Sequence, residues 1–171
     1  PTATLRTKQW QEENFARVAD YLSERHGLSV ILTSAPDEDG VLREVRRHAS
    51  RMHHYWSDLH LDELFALIRG ARLFVGNDSG PTHAAAALAR PIVVVWGSSN
   101  FSAWHPWGAD YEVVRSDLPC MPCPGYNCAA FGEPKCIRDI PVERVIAACE
   151  RMLARSGPWE APEGSLGAAN A

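Results

Sequence analysis

Apolar residues recur along this chain at two spacings, and the switches between them mark its elements. Over residues 11–26 the apolar positions Phe15, Val18, Ala19 and Leu22 share one helical face, and His26-Gly27 closes the helix with glycine at a good C′ position. Residues 28–32 read as a strand that runs into Thr33-Ser34-Ala35-Pro36 and the acidic run Asp37-Glu38-Asp39. A more charged helix is predicted over 41–48. Residues 51–60 carry no clear period and read as a short strand with a loop. Leu61, Leu64, Phe65 and Ile68 mark a third helix, capped by Asp58 or His60 and ended by Arg69-Gly70.

The pattern is sharpest over residues 73–107. Leu73, Phe74 and Val75 suit a short buried strand bounded by Asn77 and Asp78. Ser79-Gly80-Pro81 is a turn, with proline at a plausible first helical position. Residues 82–89 are nearly all small helix formers, able to lie close on a sheet, and Pro91 stops them. Residues 92–96 form an apolar, largely β-branched run, as in a strand covered on both faces. Residues 111–114 add a strand. From Pro141 a last helix buries Val142, Val145, Ile146, Cys149, Met152 and Leu153.

This alternation predicts an α/β fold with a Rossmann-like, doubly wound parallel sheet in one domain over residues 1–155. A Gly-, Ala- and Pro-rich stretch over 156–171 predicts a disordered tail. Four strand candidates besides the 51–60 stretch are few for such a sheet, and a strand upstream of Pro1 would complete it. There is no internal repeat.

Composition narrows the function classes. A chain of 171 residues can bury a core, and a net charge of −4 argues against a broad nucleic-acid or anionic-membrane surface. No apolar run approaches the roughly 20 residues a bilayer-spanning helix needs, and no signal peptide is visible. Four of the five cysteines fall within residues 119–136.

Polar residues gather where two predicted strands end beside a helix start, the position at which open α/β sheets bind ligands. Free N–H groups of the first helical turn, the Ser79 hydroxyl and the His83 imidazole can converge on an anion there, and Gly80 permits close approach. Asp78 suits ordering of that turn or a sugar hydroxyl. The same residues also read as an ordinary helix cap. The Gly97-Ser98-Ser99-Asn100 turn after the next strand, Gly97 and Ser98 above all, can add N–H donors. Thr4 and Lys8 offer hydroxyl and ammonium donors suited to a pyrophosphate. Glu38 and Asp39 stand where an acid can meet a ribose diol, or can simply favour a helix N-terminus. Trp104, His105, Pro106 and Trp107 either stack on a ligand or pack over the core, with packing favoured.

Cys120, Cys123, Cys128 and Cys136 have the spacing C-x2-C-x4-C-x7-C. They can hold a structural zinc ion; two local disulfides or free thiols are the other readings. Cys149 reads as core. The dinucleotide fingerprint, the P-loop and the nucleophile elbow are absent.

Taken together, FVGNDSGPTHAAAALARPIVVVWG resembles the donor-site signature of glycosyltransferase family 9, the ADP-heptose:lipopolysaccharide heptosyltransferases. TLRTKQWQEENFARVADYL resembles that family's Lys-x-Trp-Pro segment and following helix, and CMPC…C…CIRDIPVERV resembles a cysteine-bearing tail of some members. Departures are Gln11 after Trp10, Ala3, Arg90 before Pro91, and the lack of a Gly-Lys-Thr-like segment before Leu61.

The resemblance implies the C-terminal, donor-binding half of a GT-B enzyme. It implies inverting transfer of heptose from ADP-heptose to a lipopolysaccharide-core acceptor. Thr4, Lys8, Ser79, Gly80 and His83 would surround the diphosphate, Asp78 would lie near the sugar, and Glu38 or Asp39 would meet the ribose. His83 and Lys8 would stabilise the leaving group, while the catalytic base would lie in an N-terminal domain outside this chain. No cofactor would be needed for catalysis. The location would be cytoplasmic, with peripheral association at the inner membrane for the full-length protein. The competing reading is a non-catalytic nucleotide-binding or interaction module with a zinc-ordered loop, or the same machinery with a different nucleotide sugar.

Overall fold

The computed structural model describes residues 1–123 and 125–157. Residues 158–171, most of the predicted tail, lie outside the described residues. In chain order the elements are α1 (Glu12–His26), β1 (Ile31–Thr33), α2 (Asp39–His48), β2 (His54–Trp56), α3 (Leu61–Gly70) and β3 (Phe74–Asn77). There follow α4 (Gly80–Ala87), β4 (Ile92–Trp96), α5 (Phe101–Trp104), β5 (Tyr111–Arg115), α6 (Lys135–Arg138) and α7 (Val142–Arg155). Single 3-10 turns at Arg6–Lys8 and Pro36–Glu38 precede α1 and α2.

All strand pairings are parallel. β4 lies between β3 and β5, with Val93 opposite Val75 and Glu112. β1 pairs with β2, the short strand expected within residues 51–60. The expected single sheet is therefore two hydrogen-bonded sheets, β1-β2 and β3-β4-β5. Packing joins them, because one apolar cluster contains Leu32 of β1 together with Val93 and Val95 of β4.

β4 explains why both faces are covered. Alternate residues of a strand point to opposite faces, and all five residues of β4 are fully buried. Val93 and Val95 meet α1 and α7 through Phe15, Val145 and Met152. Ile92, Val94 and Trp96 meet α3 and α4 through Ile68, Ala85 and Ala86. The small residues of α4 let it sit against β3 and β4. Its end is marked by Ala89, whose φ of 52° is left-handed, a conformation that favours glycine.

At the other end, α4 begins at Gly80, one residue before the proline that the pattern sets at the first helical position. Ser79 is extended at its N-cap and Pro81 occupies the first turn. Among the described residues no helix is long and apolar enough to cross a membrane.

Candidate functional site

β3 and β4 both stop at their carboxyl ends in polar turns, and the segment before α1 crosses in front of them. Asn77, the last residue of β3, is buried and fixes that crossing. Its amide donates to the Pro1 carbonyl at 2.6 Å, its Oδ1 accepts from the Trp10 N–H at 3.3 Å, and its own carbonyl accepts from Thr82 Oγ1 at 2.6 Å. Trp10 is itself buried, with its indole N–H donating to the Ile140 carbonyl at 3.0 Å. An amide was needed here because the Trp10 and Pro1 backbone groups would otherwise be left without a partner in a dry position.

Asp78 is the hub of the site. Its carboxylate is 3% exposed and lies 2.8 Å from Lys8 Nζ and 3.6 Å from His83 Nε2. Ser99 Oγ donates to it at 2.5 Å. A carboxylate so deeply placed needs such partners to offset its lost hydration. The arrangement brings Lys8 from the opening segment, Asp78 and His83 from the β3–α4 turn, and Ser99 from the β4–α5 turn to one place. His83 remains 40% exposed, and its ring lies edge-on to Trp104 at 6.5 Å.

The first turn of α4 adds donors. The Ser79 side chain makes no capping hydrogen bond and donates only weakly to the Asn77 carbonyl, at 3.4 Å. The positive end of α4 is thus left without a side-chain cap, as a helix N-terminus that receives an anion must be. Chemically the cluster can hold a negatively charged group between an ammonium, an imidazole and backbone N–H groups.

Beside it, Gly97 permits a backbone crossing that no side chain could. A Cβ there would lie 2.2 Å from the Thr7 carbonyl oxygen. The same approach lets the Ser98 N–H donate to that carbonyl at 3.2 Å and sets Thr7 Oγ1 2.8 Å from Ser98 Oγ. Thr7 and Ser98 are each 1% exposed.

Other sequence candidates fall differently. Thr4 is exposed, and among the described residues its side chain makes no hydrogen bond; the buried threonine of the segment is Thr7. Asp39 pairs with Arg43 one helical turn on. Glu38 is half-buried and lies within electrostatic reach of the Pro1 nitrogen, which places it beside the opening segment. The favoured packing role of the aromatic loop is corrected for its tryptophans: Trp104 is 60% and Trp107 83% exposed. Phe101 and His105 do the packing, against Trp96 and Tyr111, because α5 turns those two inward.

The cysteine loop adjoins the same turns. Cys123 N–H donates to the Ser98 carbonyl at 2.9 Å, and Thr7 Oγ1 donates to the Gly125 carbonyl at 3.0 Å. None of the cysteines is in a disulfide. Burial, reinforced by the nearby Cys123, Cys120 and Cys128 thiols, pushes the Cys136 thiol up to about 11. Cys149 lies in the core, where burial pushes it to about 12. Among the described residues, no three His, Cys, Asp or Glu side chains stand close enough to hold a metal ion.

Sequence reasoning missed Thr7 and Asn77, and took Ser99 only as part of an N–H-donating turn, not as the hydroxyl that meets Asp78. Asn77 had a usable signal, a polar amide at the end of an apolar strand; Thr7 and Ser99 had none beyond adjacency to Lys8 and Ser98.

Comparison with known proteins gives the chain's family and its fold relatives. The family model described as glycosyltransferase family 9 (heptosyltransferase) matches residues 1–132. Lipopolysaccharide heptosyltransferase 3 of Escherichia coli strain K12 is 32% identical over 163 residues, covering 92% of this chain and 46% of that protein. A family 9 glycosyl transferase from Veillonella parvula superposes with a TM-score of 0.77 at 26% identity, over 90% of this chain and 44% of its own. An E. coli heptosyltransferase solved with ADP-2-deoxy-2-fluoro heptose superposes with a TM-score of 0.55 at 26% identity, over 68% of this chain and 35% of its own. The chain spans about half the length of the curated relatives it matches.

Proposed function

The chain belongs to glycosyltransferase family 9, and from that membership we propose that it is the donor-binding half of a GT-B enzyme. In this reading it holds an ADP-heptose-like nucleotide sugar for inverting transfer to a lipopolysaccharide-core-like acceptor. The observation that carries the reading is the convergence of Lys8, His83 and the uncapped start of α4 around buried Asp78. This is a ready-made diphosphate cradle at the strand ends where α/β sheets bind nucleotides.

Each residue then has a role. Lys8 and His83 meet the diphosphate oxygens, joined by N–H groups at Ser79 and Gly80; the expected Ser98 donor is instead buried, with its N–H spent on the Thr7 carbonyl. Asp78 aims Lys8 and His83 and lies beside the sugar. Glu38 or Asp39 accepts from the ribose diol. As the acceptor hydroxyl attacks the anomeric carbon, the bond to the diphosphate breaks and ADP departs with the electron pair. Lys8 and His83 stabilise the charge that develops on it. The acceptor proton passes to a base in the other half of the enzyme. No cofactor enters this scheme. The site would work at the cytoplasmic side of the inner membrane, where the acceptor is presented.

Calorimetric titration with ADP tests the reading. The chain is expected to bind ADP saturably, and Lys8→Ala and His83→Ala are each expected to weaken binding by roughly tenfold or more, the worth of one charge-assisted hydrogen bond. A folded sample that takes up no ADP overturns it.

A further inference from the structure

We propose that Cys120, Cys123, Cys128 and Cys136 bind one zinc ion as a tetrathiolate, and that this ion fixes the turns carrying Thr7 and Ser98. All four thiols line a single cavity of about 280 Å³ whose wall also includes Thr7 and Ser98. None is consumed in a disulfide. The rest of the wall is mainly apolar, with Met121, Ala130 and Phe131 among it. A site built of thiols without carboxylates or carbonyl cages selects zinc over magnesium or calcium.

The surrounding chain needs such a staple. Between β5 and α6 the described residues contain only an isolated bridge, Cys128 to Gly132. A long stretch with so little regular structure inside a compact domain is usually functional or held by something other than backbone ladders. The four cysteines share one cavity wall, and among the described residues no three of them stand at ion-holding distance. Zinc binding therefore draws them inward, coupling loop closure to metal uptake, and each thiol releases its proton to solvent on coordination. Closure would act on the Cys123–Ser98 and Gly125–Thr7 hydrogen bonds. The consequence for the donor rests on the role proposed above for Lys8 and His83, which flank those turns.

Metal analysis of the whole chain, expressed with zinc and exhaustively exchanged into metal-free buffer, tests the site. About one zinc per chain is expected. Cys120→Ala and Cys128→Ala should lose it, and Cys149→Ala should keep it. Less than about a tenth of an equivalent, or iron with sulfide in its place, overturns the proposal. Cobalt loading of the unaltered chain guards against variants that fail to fold. The intense bands of a tetrahedral thiolate support the site, and the weak spectrum of an octahedral ion overturns it. Chelation should weaken ADP binding about fivefold or more, the scale of ordinary coupling between sites. Unchanged ADP affinity at full zinc loss removes the role in the turns, whereas absent ADP binding in both forms counts against the donor reading and leaves the metal result standing.

Discussion

At the scale of single residues, the site is made by short polar side chains that cross between loops. Gly97 shows how tight the crossing is. Gly97→Ala would drive a methyl group into the Thr7 carbonyl, since its Cβ has only 2.2 Å there. The turns must part, at a cost of about 1–3 kcal/mol typical of overpacking. Urea unfolding should show that loss, and ADP titration should show weaker binding; a variant as stable as the parent would contradict the crossing. Asp78 and His83 were legible in the sequence because a turn and a helix start fell in one motif, and Lys8 because it stood in a polar opening segment. Thr7 and Ser99 were not, because their partners lie 91 and 21 residues away along the chain. Short-range pattern carries no information about which of several adjacent hydroxyls will face inward. Thr4 illustrates the same blindness in reverse: the hydroxyl that looked available is exposed.

At the scale of elements, the helices and the two central strands were plain from apolar spacing. β2 was not, since His54, Tyr55 and Trp56 are exposed or only half-buried and give no alternation. What anchors the turn before β2 is Asp20 on α1. Its carboxylate accepts from the backbone N–H groups of Ser50 and Arg51, from Ser50 Oγ at 2.6 Å and from His53 Nε2 at 2.9 Å. Burial alone would raise its pKa, but the hydrogen bonds from Ser50, His53 and Arg51 outweigh burial and hold it below the ordinary carboxylate range. A carboxyl lowered in the folded state stabilises the protein above its unfolded pKa, about 3.9, and loses that contribution as pH falls through the folded value. Asp20→Asn should therefore flatten the acid limb of stability below about pH 4 and lower stability near neutrality. Thermal melts across the acid range that matched the parent's slope would refute this. The split into two sheets was not legible either. Pairing depends on how strands lie against shared helices, and three-residue strands announce neither edge.

At the scale of the whole molecule, the apolar clusters on the two faces of β4 join elements from the start of the described chain to α7. On the donor-half reading proposed above, donor binding and transfer would be separable properties. The chain alone should bind ADP yet transfer no heptose, and joining it to the remaining half should restore transfer. Radiolabelled-sugar assays decide this, and robust transfer by the chain alone would place the base here. The buried course of β4 has one more consequence, which lies in time. Amide hydrogens of Val93, Val94 and Val95 can reach solvent only when both apolar clusters open together, so they should exchange with deuterium at the rate of global unfolding. Those of β1 and β2, a three-residue ladder at the margin, should exchange through smaller openings. The polar turns after Asn77 and Trp96 would thus be mounted on the last part of the molecule to let go.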